Sequence, residues 1–250
     1  MSDTVDELKY AKDLEGKGYS VIPSGFYLGN VLRDRKTHEL RSEYLQLESE
    51  FGNLELDPYA KGNRYRKYAQ LRVNDSSNSF QYGIFEPYLQ TKKYNPDTGG
   101  IVREYSLISD ELQQNQMLSQ VLQSDIQFIR YYGGIDSDPS QLMVGLHLFR
   151  YLAYADEPAY SSPNWLHKDD ENVVFVHLVS KSGNIVGGDN VIAPDAKTFE
   201  AVLSLNDTFD TLVVNHDKLH AVTPIGTKNT NAVVPGRRDI LLVTFQTRNT

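Results

Sequence analysis

The chain has 250 residues, 40% of them hydrophobic and 23% charged, which is typical of one large globular domain or two small ones. Its formal net charge of −8 argues against a nucleic acid or an anionic membrane as a partner. The absence of cysteine excludes disulfides and thiolate metal ligands and, together with an acidic N-terminus that lacks a secretory signal, indicates a cytoplasmic protein.

Residues 1–60 are predicted to be mostly helical. Residues 4–17 have apolar side chains at helical spacing, and residues 31–51 form a longer and highly charged helical segment. Runs typical of strands follow at residues 65–73, 80–89 and 102–108, with a marked turn at residues 95–100. Ser109 is then a suitable N-cap for a helix that ends near Tyr132, and the single apolar face of this helix predicts packing against a sheet.

From residue 142 onward the chain is predicted to consist almost entirely of strands and turns. The β-branched or apolar runs are residues 142–155, 172–179, 190–193, 212–214, 219–222 and 240–247. Many short strands of this kind indicate a sandwich or a double-sheet jelly roll. No linker divides the chain, so we expect a single domain over residues 1–250, with the helical residues 1–60 packed outside the sheets.

The tripeptide at residues 167–169 carries the strongest chemical signal. Residues i and i+2 of a strand point to the same side, so His167 and Asp169 share a face while Lys168 points away. His220 lies on a distant predicted strand. Two imidazoles and one carboxylate form the facial ligand set of non-haem Fe(II) oxygenases, which leaves coordination positions open for a co-substrate and O2.

An arginine at the start of the last strand fits the same chemistry. A planar guanidinium can bind a carboxylate through two parallel hydrogen bonds, as a dicarboxylate co-substrate bound to iron at its other end would require. Arg237 and Arg238 are adjacent, so on a regular strand only one of them points inward. Arg238 directly precedes the apolar run and is the preferred residue, although a bulge would reverse the order.

These motifs resemble a known family, the bacterial 2-oxoglutarate/Fe(II)-dependent free-amino-acid hydroxylases of the L-isoleucine 4-hydroxylase type. The resemblance rests on residues 165–171 (WLHKDDE), 187–190 (GGDN), 220–224 (HAVTP) and 238–245 (RDILLVTF) in this order and spacing. It covers most of the chain from about Tyr94 onward and is weaker in the first part of the chain.

The resemblance implies a mainly β fold with flanking helices, a double-stranded β-helix (jelly roll, cupin-like). It implies that His167, Asp169 and His220 bind Fe(II) and that Arg238 binds the C5 carboxylate of 2-oxoglutarate. The implied reaction is hydroxylation of an aliphatic free L-amino acid similar to isoleucine, leucine, valine or methionine by O2, with release of succinate and CO2. The alternatives are the same chemistry on a peptide, a carrier-bound residue or another small metabolite, and a catalytically silent jelly-roll binding protein.

A free amino acid carries a carboxylate, so its pocket needs a cation. The residues considered for this role are Arg66, Arg103 and Arg150. Trp165, which shares strand parity with His167, either contacts the substrate's aliphatic side chain or packs in the core. Asp170 and Glu171 are possible partners of the substrate ammonium, although such charges are usually exposed. The preferred amino acid, the hydroxylated carbon, its stereochemistry and the oligomeric state remain open.

The other histidines are interpreted as structural. His177 is expected to be a half-buried strand residue, because an uninterrupted strand would place it too far from His167 for both to bind one metal ion. His147 is expected to be structural or to line the pocket. His216 and His220 lie four residues apart, but no HExxH motif accompanies them and a zinc-protease site is not expected.

Overall fold

The computed structural model describes residues 2–74, 79–83, 87–95, 99–135, 142–228 and 234–247. The strands within these ranges are β1 (Tyr19–Ile22), β2 (Glu55–Leu56), β3 (Arg64–Val73), β4 (Phe80–Tyr82), β5 (Leu142–Ala153), β6 (Val173–Lys181), β7 (Ile185–Gly187), β8 (Asn190–Ala193), β9 (Ala201–Leu203), β10 (Thr211–Asn215), β11 (Leu219–Val222), β12 (Ile225–Thr227) and β13 (Gly236–Thr247). The α-helices are α1 (Ser2–Lys17), α2 (Ser24–Phe26), α3 (Thr37–Gly52), α4 (Asp110–Gln113) and α5 (Gln116–Tyr131), and a π-helical turn spans Tyr27–Val31.

A large antiparallel sheet forms the first layer, in the order β1-β10-β6-β13-β5-β3-β2, with β4 paired to β3. Its two longest strands, β5 and β13, are neighbours and pair from Gly236↔Ala153 to Thr247↔Leu142. Both are apolar on both faces, as expected of strands covered on both sides. This pairing places the start of β13 opposite the end of β5.

Two small antiparallel sheets, β11-β8-β9 and β12-β7, form the second layer. Their side chains Ile192 and Ile225 are buried in one cluster with Leu178 and Ile240 of the large sheet. Two antiparallel layers joined in this way, with helices outside, form a jelly roll, so the predicted fold class is confirmed.

The helices cover the outer face of the large sheet. Val243 and Phe245 of β13 are buried in a cluster with Leu14 of α1, Phe51 of α3 and Val121 of α5. Alternate residues of β13 therefore point to the helices, and the residues between them point to the interior of the jelly roll. None of the helices in the described ranges is both long and apolar enough to span a membrane.

The predicted long helix after Ser109 is interrupted. Ser109 accepts a hydrogen bond from the Leu112 N–H (3.2 Å) and caps the short α4, whereas Asn115 accepts from the Leu118 N–H (2.9 Å) and caps α5. Asn115 is buried and its amide also binds the Glu43 carbonyl (2.9 Å), so contact with α3 ends one helix and starts the next.

Other predicted boundaries differ as well. The strand expected at residues 102–108 is wrong. Within the described residues, this segment pairs through an isolated bridge between Tyr88 and Arg103 and through a hydrogen bond from the Tyr68 N–H to the Ser106 carbonyl. Its alternating pattern reflects an extended segment that buries Arg103 and Tyr105. Part of the strand expected at 80–89 and of the turn expected at 95–100 lies outside the described residues. The helix expected from residue 31 begins at Thr37.

Candidate active site

Backbone pairing brings the two histidines of the predicted metal site together. His167 and His220 form an antiparallel bridge, in which each N–H donates to the other's carbonyl (3.0 and 2.9 Å). Their ring centroids are consequently 4.5 Å apart. Asp169 lies on the same side, with Oδ1 3.4 Å from His167 Nε2 and Oδ2 3.1 Å from His220 Nε2. One donor atom from each of the three residues lies within 4.8 Å of the other two, as binding of one metal ion requires.

Backbone carbonyls orient both imidazoles. His167 Nδ1 lies 2.7 Å from the Trp165 carbonyl oxygen, and His220 Nδ1 lies 3.4 Å from the Lys218 carbonyl oxygen. A carbonyl can only accept, so Nδ1 of His167 carries a proton and Nε2 is the nitrogen available to a metal ion. This is the usual outer-shell arrangement of a metal-binding histidine.

Electrostatics keep the Asp169 side chain in its carboxylate form. Burial by itself opposes ionisation of Asp169, but the two imidazoles outweigh it and hold the pKa of the carboxyl well below its usual range. Burial would likewise lower the pKa of His220, but the Asp169 carboxylate raises it. Two nitrogen donors and one oxygen donor with open positions fit Fe(II).

A cavity of about 110 Å³ extends from these three residues between the two layers. It is lined by inward-facing residues of β3, β5, β6, β10 and β13 and by residues of β8 and β11. Its aliphatic wall includes Val174, Val176, Leu212, Val214, Ile240 and Leu242. Such a wall excludes water and can accommodate an apolar substrate group.

Arg238 lies inside this cavity, and Arg237 does not. Arg238 is only 3% exposed, and its Nη2 atom has no hydrogen-bond partner within the described part of the chain. Arg237 lies on the opposite face, 3.9 Å from a carboxylate oxygen of Glu48 and 3.5 Å from one of Asp239. Burial lowers the pKa of Arg238, which shows that its charge is costly here. A buried guanidinium of this kind fits a ligand carboxylate.

Gly188 makes room for the Arg238 side chain. Gly188 has φ +74°, and a Cβ atom at this position would lie 3.0 Å from Arg238 Cδ and 3.2 Å from its Nε. A side chain here would therefore be strained and would displace the guanidinium.

The resemblance implies that Arg238 binds 2-oxoglutarate, and on that basis we expect Gly188→Ala to raise the 2-oxoglutarate concentration needed for half-maximal turnover several-fold. The same substitution should lower the free energy of unfolding by roughly 1 kcal/mol. Gly183→Ala is the matched control, because a Cβ atom there would meet nothing within 4 Å. Titration of succinate release against 2-oxoglutarate measures the first effect, and urea unfolding measures the second. An unchanged 2-oxoglutarate requirement in Gly188→Ala would contradict a role of Gly188 in placing Arg238.

Three further arginines line the cavity on the side of β3. Arg64 is paired with the buried carboxylate of Asp57, which accepts from its Nε at 3.1 Å. Arg66 donates to the Tyr105 hydroxyl (2.8 Å) and to His147 Nδ1 (2.6 Å). Arg103 donates to the Gln90 side-chain oxygen (3.0 Å). The cavity therefore has a strongly cationic side in addition to Arg238.

The cationic side of the cavity also contains an aromatic ring, that of Tyr88, and a second carboxylate, that of Glu171. The Tyr88 ring lies under the guanidinium carbons of Arg66 (4.7 Å) and Arg103 (4.6 Å), measured to its centroid. The Tyr88 hydroxyl donates to Glu171 Oε1 at 2.9 Å. Burial, and next the Asp169 carboxylate, raise the pKa of Glu171 to about 7.

Nothing in the sequence marked Tyr88, Tyr105 or Gln90 as functional residues. The spacing of Arg64 and Arg66 was a usable signal, because β3 begins at Arg64, one residue before the predicted strand, and residues i and i+2 of a strand point to one face.

Two residues predicted to contact substrate lie elsewhere. Arg150 is on the outer face of β5, where its Nε and Nη2 donate to Asp239 (2.7 and 2.8 Å). Trp165 is 58% exposed and lines a surface groove beside His167. The alternation of side chains along a strand explains why Arg150 points away from the cavity, because its neighbours Phe149 and Tyr151 are the β5 residues that face it. Trp165 precedes the His167–His220 bridge and lies on no strand.

The remaining histidines are more buried than expected or lie outside the site. His147 is fully buried behind the cavity, and burial followed by the nearby Arg66 lowers its pKa well below the usual value. An arginine can only donate, so Nδ1 of His147 accepts and holds the Arg66 guanidinium in place. His177 is fully buried in the core rather than half-buried. The His216 side chain is 45% exposed.

A jelly roll with two imidazoles, one carboxylate and a buried guanidinium around one cavity defines a non-haem iron oxygenase that uses a carboxylate co-substrate. Residues 48–244 match the family model described as 2OG-Fe dioxygenase, and the chain belongs to this family. Its cofactor is Fe(II), and its co-substrates are 2-oxoglutarate and O2. The predicted family and cofactors are thereby confirmed.

Individual relatives agree with this assignment. The chain is 45% identical to a 3(1)-hydroxy-L-isoleucine 4-dioxygenase of Pantoea ananatis, over 96% of each chain. It is 36% identical to an L-isoleucine-4-hydroxylase of Bacillus thuringiensis, over 95% of this chain and 94% of the relative. The crystal structure of IDO from Bacillus thuringiensis is similar over 97% of this chain and 96% of that one, with a TM-score of 0.81 and 32% identity.

Proposed function

We propose that the protein hydroxylates an aliphatic free L-amino acid similar to isoleucine, leucine, valine or methionine, with release of succinate and CO2. One observation carries the proposal: the three side chains of the metal site and the buried Arg238 meet at one cavity whose remaining wall combines aliphatic side chains with further guanidinium groups. The names of the two relatives, which specify isoleucine or a hydroxylated isoleucine as the substrate, support it.

In this proposal His167, Asp169 and His220 bind Fe(II). The bound iron supplies the activation of O2 and the removal of hydrogen from an unactivated carbon. The protein contributes position and environment: the backbone carbonyls of Trp165 and Lys218 orient the imidazoles, and the aliphatic wall keeps water away from the reacting carbon.

Arg238 binds the C5 carboxylate of 2-oxoglutarate in the same proposal. We expect Arg238→Ala to raise the 2-oxoglutarate concentration for half-maximal turnover by about 30-fold or more, because a buried charge pair loses one partner. Its Fe(II) affinity should change little, since Arg238 is not a metal ligand. Arg237→Ala is the matched control and should behave like wild type. The reverse order, with Arg237 the sensitive residue, would show that the assignment is wrong.

Arg103 is proposed to contact the carboxylate of the amino-acid substrate. It is 2% exposed, it lines the cavity, and Tyr88 positions it on the same side as Arg66. Arg150, which was predicted for the same role, is not included because it is paired on the outer face of the sheet. Trp165, which was predicted to contact the substrate's aliphatic side chain or to pack in the core, is not included because it lies at the surface.

A hydroxylated aliphatic amino acid is the second possible substrate. Ser162 lines the cavity, and its Oγ atom is buried without a hydrogen-bond partner among the described residues. A hydroxyl group on the substrate side chain would satisfy it. The Pantoea relative's name specifies a substrate of this kind.

Mass spectrometry tests the proposed function. The enzyme is incubated aerobically with Fe(II), ascorbate, 2-oxoglutarate and a mixture of the twenty amino acids plus hydroxyisoleucine. A gain of one oxygen by an aliphatic amino acid, dependent on 2-oxoglutarate and matched by succinate, is the expected result. No oxygen gain by any of them, with product formed only from a peptide or a carrier-bound residue, would overturn it in favour of the alternative.

We further propose that residues 1–250 form one dioxygenase domain, with residues 1–60 packed on the jelly roll. The buried cluster that joins α1 and α3 to β5 and β13 supports this organisation. The cytoplasm is the proposed location, and a small molecule rather than a nucleic acid or a membrane is the proposed partner, as the composition indicates.

A further inference from the structure

We propose that the cavity binds its amino acid as a zwitterion, with Arg66 and Arg103 on the carboxylate and Glu171 on the ammonium group. The inference rests on the proposed function and makes it more specific, because it requires both the amino group and the carboxylate of the substrate to be unmodified. These three residues and Tyr88 are called the zwitterion site below.

Tyr88 sets the spacing of the zwitterion site. The face of its ring lies against the guanidinium groups of Arg66 and Arg103, and its hydroxyl donates to Glu171. The cations and the anion are therefore separated by one tyrosine side chain. In an α-amino acid the ammonium and the carboxylate are bonded to the same carbon atom. The gap between the two guanidinium groups and Glu171 therefore has room for one α-amino acid, with its carboxylate bound at one end and its ammonium at the other.

Arg66 is a buried cation whose hydrogen bonds include no anionic partner among the residues that the structure describes. It is 4% exposed, both of its hydrogen bonds go to neutral groups, and its Nε atom has no partner within the described ranges. Arg64, two residues away on the same strand, is by contrast neutralised by Asp57. A buried guanidinium without a counterion is costly, and a ligand carboxylate would offset that cost.

Arg66 and Arg238 occupy different places around the cavity. The two residues lie on β3 and β13, which are separated by β5, so their backbones are roughly 9–10 Å apart. Register also separates them, because Arg238 lies opposite Tyr151 whereas Arg66 lies opposite Phe149. The proposal therefore assigns Arg238 to the co-substrate and the second cationic group, with Arg66 and Arg103, to the amino-acid substrate.

Glu171 provides the opposite charge. It is 5% exposed and lines the cavity, and Tyr88 holds one of its oxygens. A buried carboxylate is costly without a positively charged partner, and the ammonium group of the substrate would supply one. The neighbouring Asp170 does not line this cavity and is more exposed, which makes it a matched comparison.

The zwitterion site predicts a specificity that the metal chemistry alone does not. N-acetylisoleucine lacks the ammonium, isoleucinamide lacks the carboxylate, and a residue inside a peptide lacks both. Each of these compounds would leave a buried charge unpaired, so all three should be poor ligands.

Equilibrium dialysis of radiolabelled L-isoleucine against the anaerobic enzyme with Fe(II) and 2-oxoglutarate tests the proposal without turnover. We expect Glu171→Gln to weaken L-isoleucine binding by about 30-fold or more, because one partner of a buried charge pair is removed. Asp170→Asn should change it by less than about twofold. The visible charge-transfer band of the Fe(II)–2-oxoglutarate complex should be retained in both variants, which shows that the metal site is intact.

A second ligand separates loss of the ammonium contact from general damage. 3-Methylpentanoate is isoleucine without its amino group, and it should bind Glu171→Gln at least as tightly as it binds wild type. Equal weakening of L-isoleucine and 3-methylpentanoate in Glu171→Gln would overturn the proposal, as would unchanged L-isoleucine binding. Arg66→Lys, which keeps the charge but not the planar group, should reduce discrimination between L-isoleucine and isoleucinamide; unchanged discrimination would also count against it.

The outcome for wild type distinguishes the two proposals. Failure of wild-type enzyme to bind or oxidise any of the twenty amino acids overturns the proposed function and the zwitterion site together. Binding of L-isoleucine by wild type, with no effect of Glu171→Gln, overturns the zwitterion site alone.

Discussion

Asp169→Ala is expected to abolish turnover. The carboxylate lies within 3.4 Å of both metal-facing imidazole nitrogens, and it is the anionic member of the proposed ligand set. Loss of a supporting contact outside a metal site typically costs 10–100-fold in affinity, so loss of a ligand should weaken Fe(II) binding by more than about 100-fold. Succinate release should fall below about 1% of wild type under limiting Fe(II).

Anaerobic titration with Fe(II) and 2-oxoglutarate measures this effect directly. Wild type should develop the weak visible charge-transfer band of the complex, and Asp169→Ala should not. Asp170→Ala is the matched control, because it removes the adjacent carboxylate and leaves the metal site complete. A full band in Asp169→Ala would mean that the metal lies elsewhere.

Asp125→Ala is expected to lower the free energy of unfolding by about 3–5 kcal/mol, the cost typical of breaking a buried charged network. Asp125 is completely buried on α5. Its two oxygens accept from the Tyr27 hydroxyl (2.8 Å) and from His177 Nε2 (3.0 Å). His177 Nδ1 in turn bonds Thr211 Oγ1 at 2.7 Å.

The network joins α5 and the π-helical turn to β6 and β10, so its loss would leave two buried donors unsatisfied between helix and sheet. Burial, and next the Asp125 carboxylate, raise the pKa of Tyr27 well above its usual value, so the hydroxyl remains a donor at neutral pH.

Urea unfolding followed by circular dichroism measures the effect of Asp125→Ala. Asp207→Ala, in an exposed loop, is the matched control and should change stability by less than about 0.5 kcal/mol. Asp125→Asn keeps the size of the side chain and one acceptor, so its effect should lie between those of the other two variants. A loss below about 1 kcal/mol in Asp125→Ala would show that the network contributes little beyond its packing.

The pattern of short strands and the resemblance of the motifs to a known family were sufficient to predict the fold class and the family. The sequence also predicted that His167, Asp169 and His220 converge, although His167 pairs with His220 only through an isolated bridge and Asp169 lies on no strand. The apolar face of α5 likewise predicted a helix packed on a sheet, and Val121 is buried there.

Predictions that depended on which residues become neighbours in the folded protein were less successful. The sequence favoured Arg238 over Arg237 but could not exclude a bulge that would reverse the order, and Arg238 is the one that lies in the cavity. Arg150 was predicted to contact substrate, but the residue opposite it in that register is Asp239, which binds it on the outer face.

The zwitterion site shows most clearly that the sequence alone does not predict which residues meet in space. Arg66 lies on β3, whereas Tyr88 and Arg103 come from two extended segments joined by a bridge. Glu171 lies two residues after Asp169. Which face a side chain occupies is a local property that alternation along the chain reveals. Which faces meet depends on long-range strand pairing and on the burial of apolar surface, and these interactions assemble only when the chain folds.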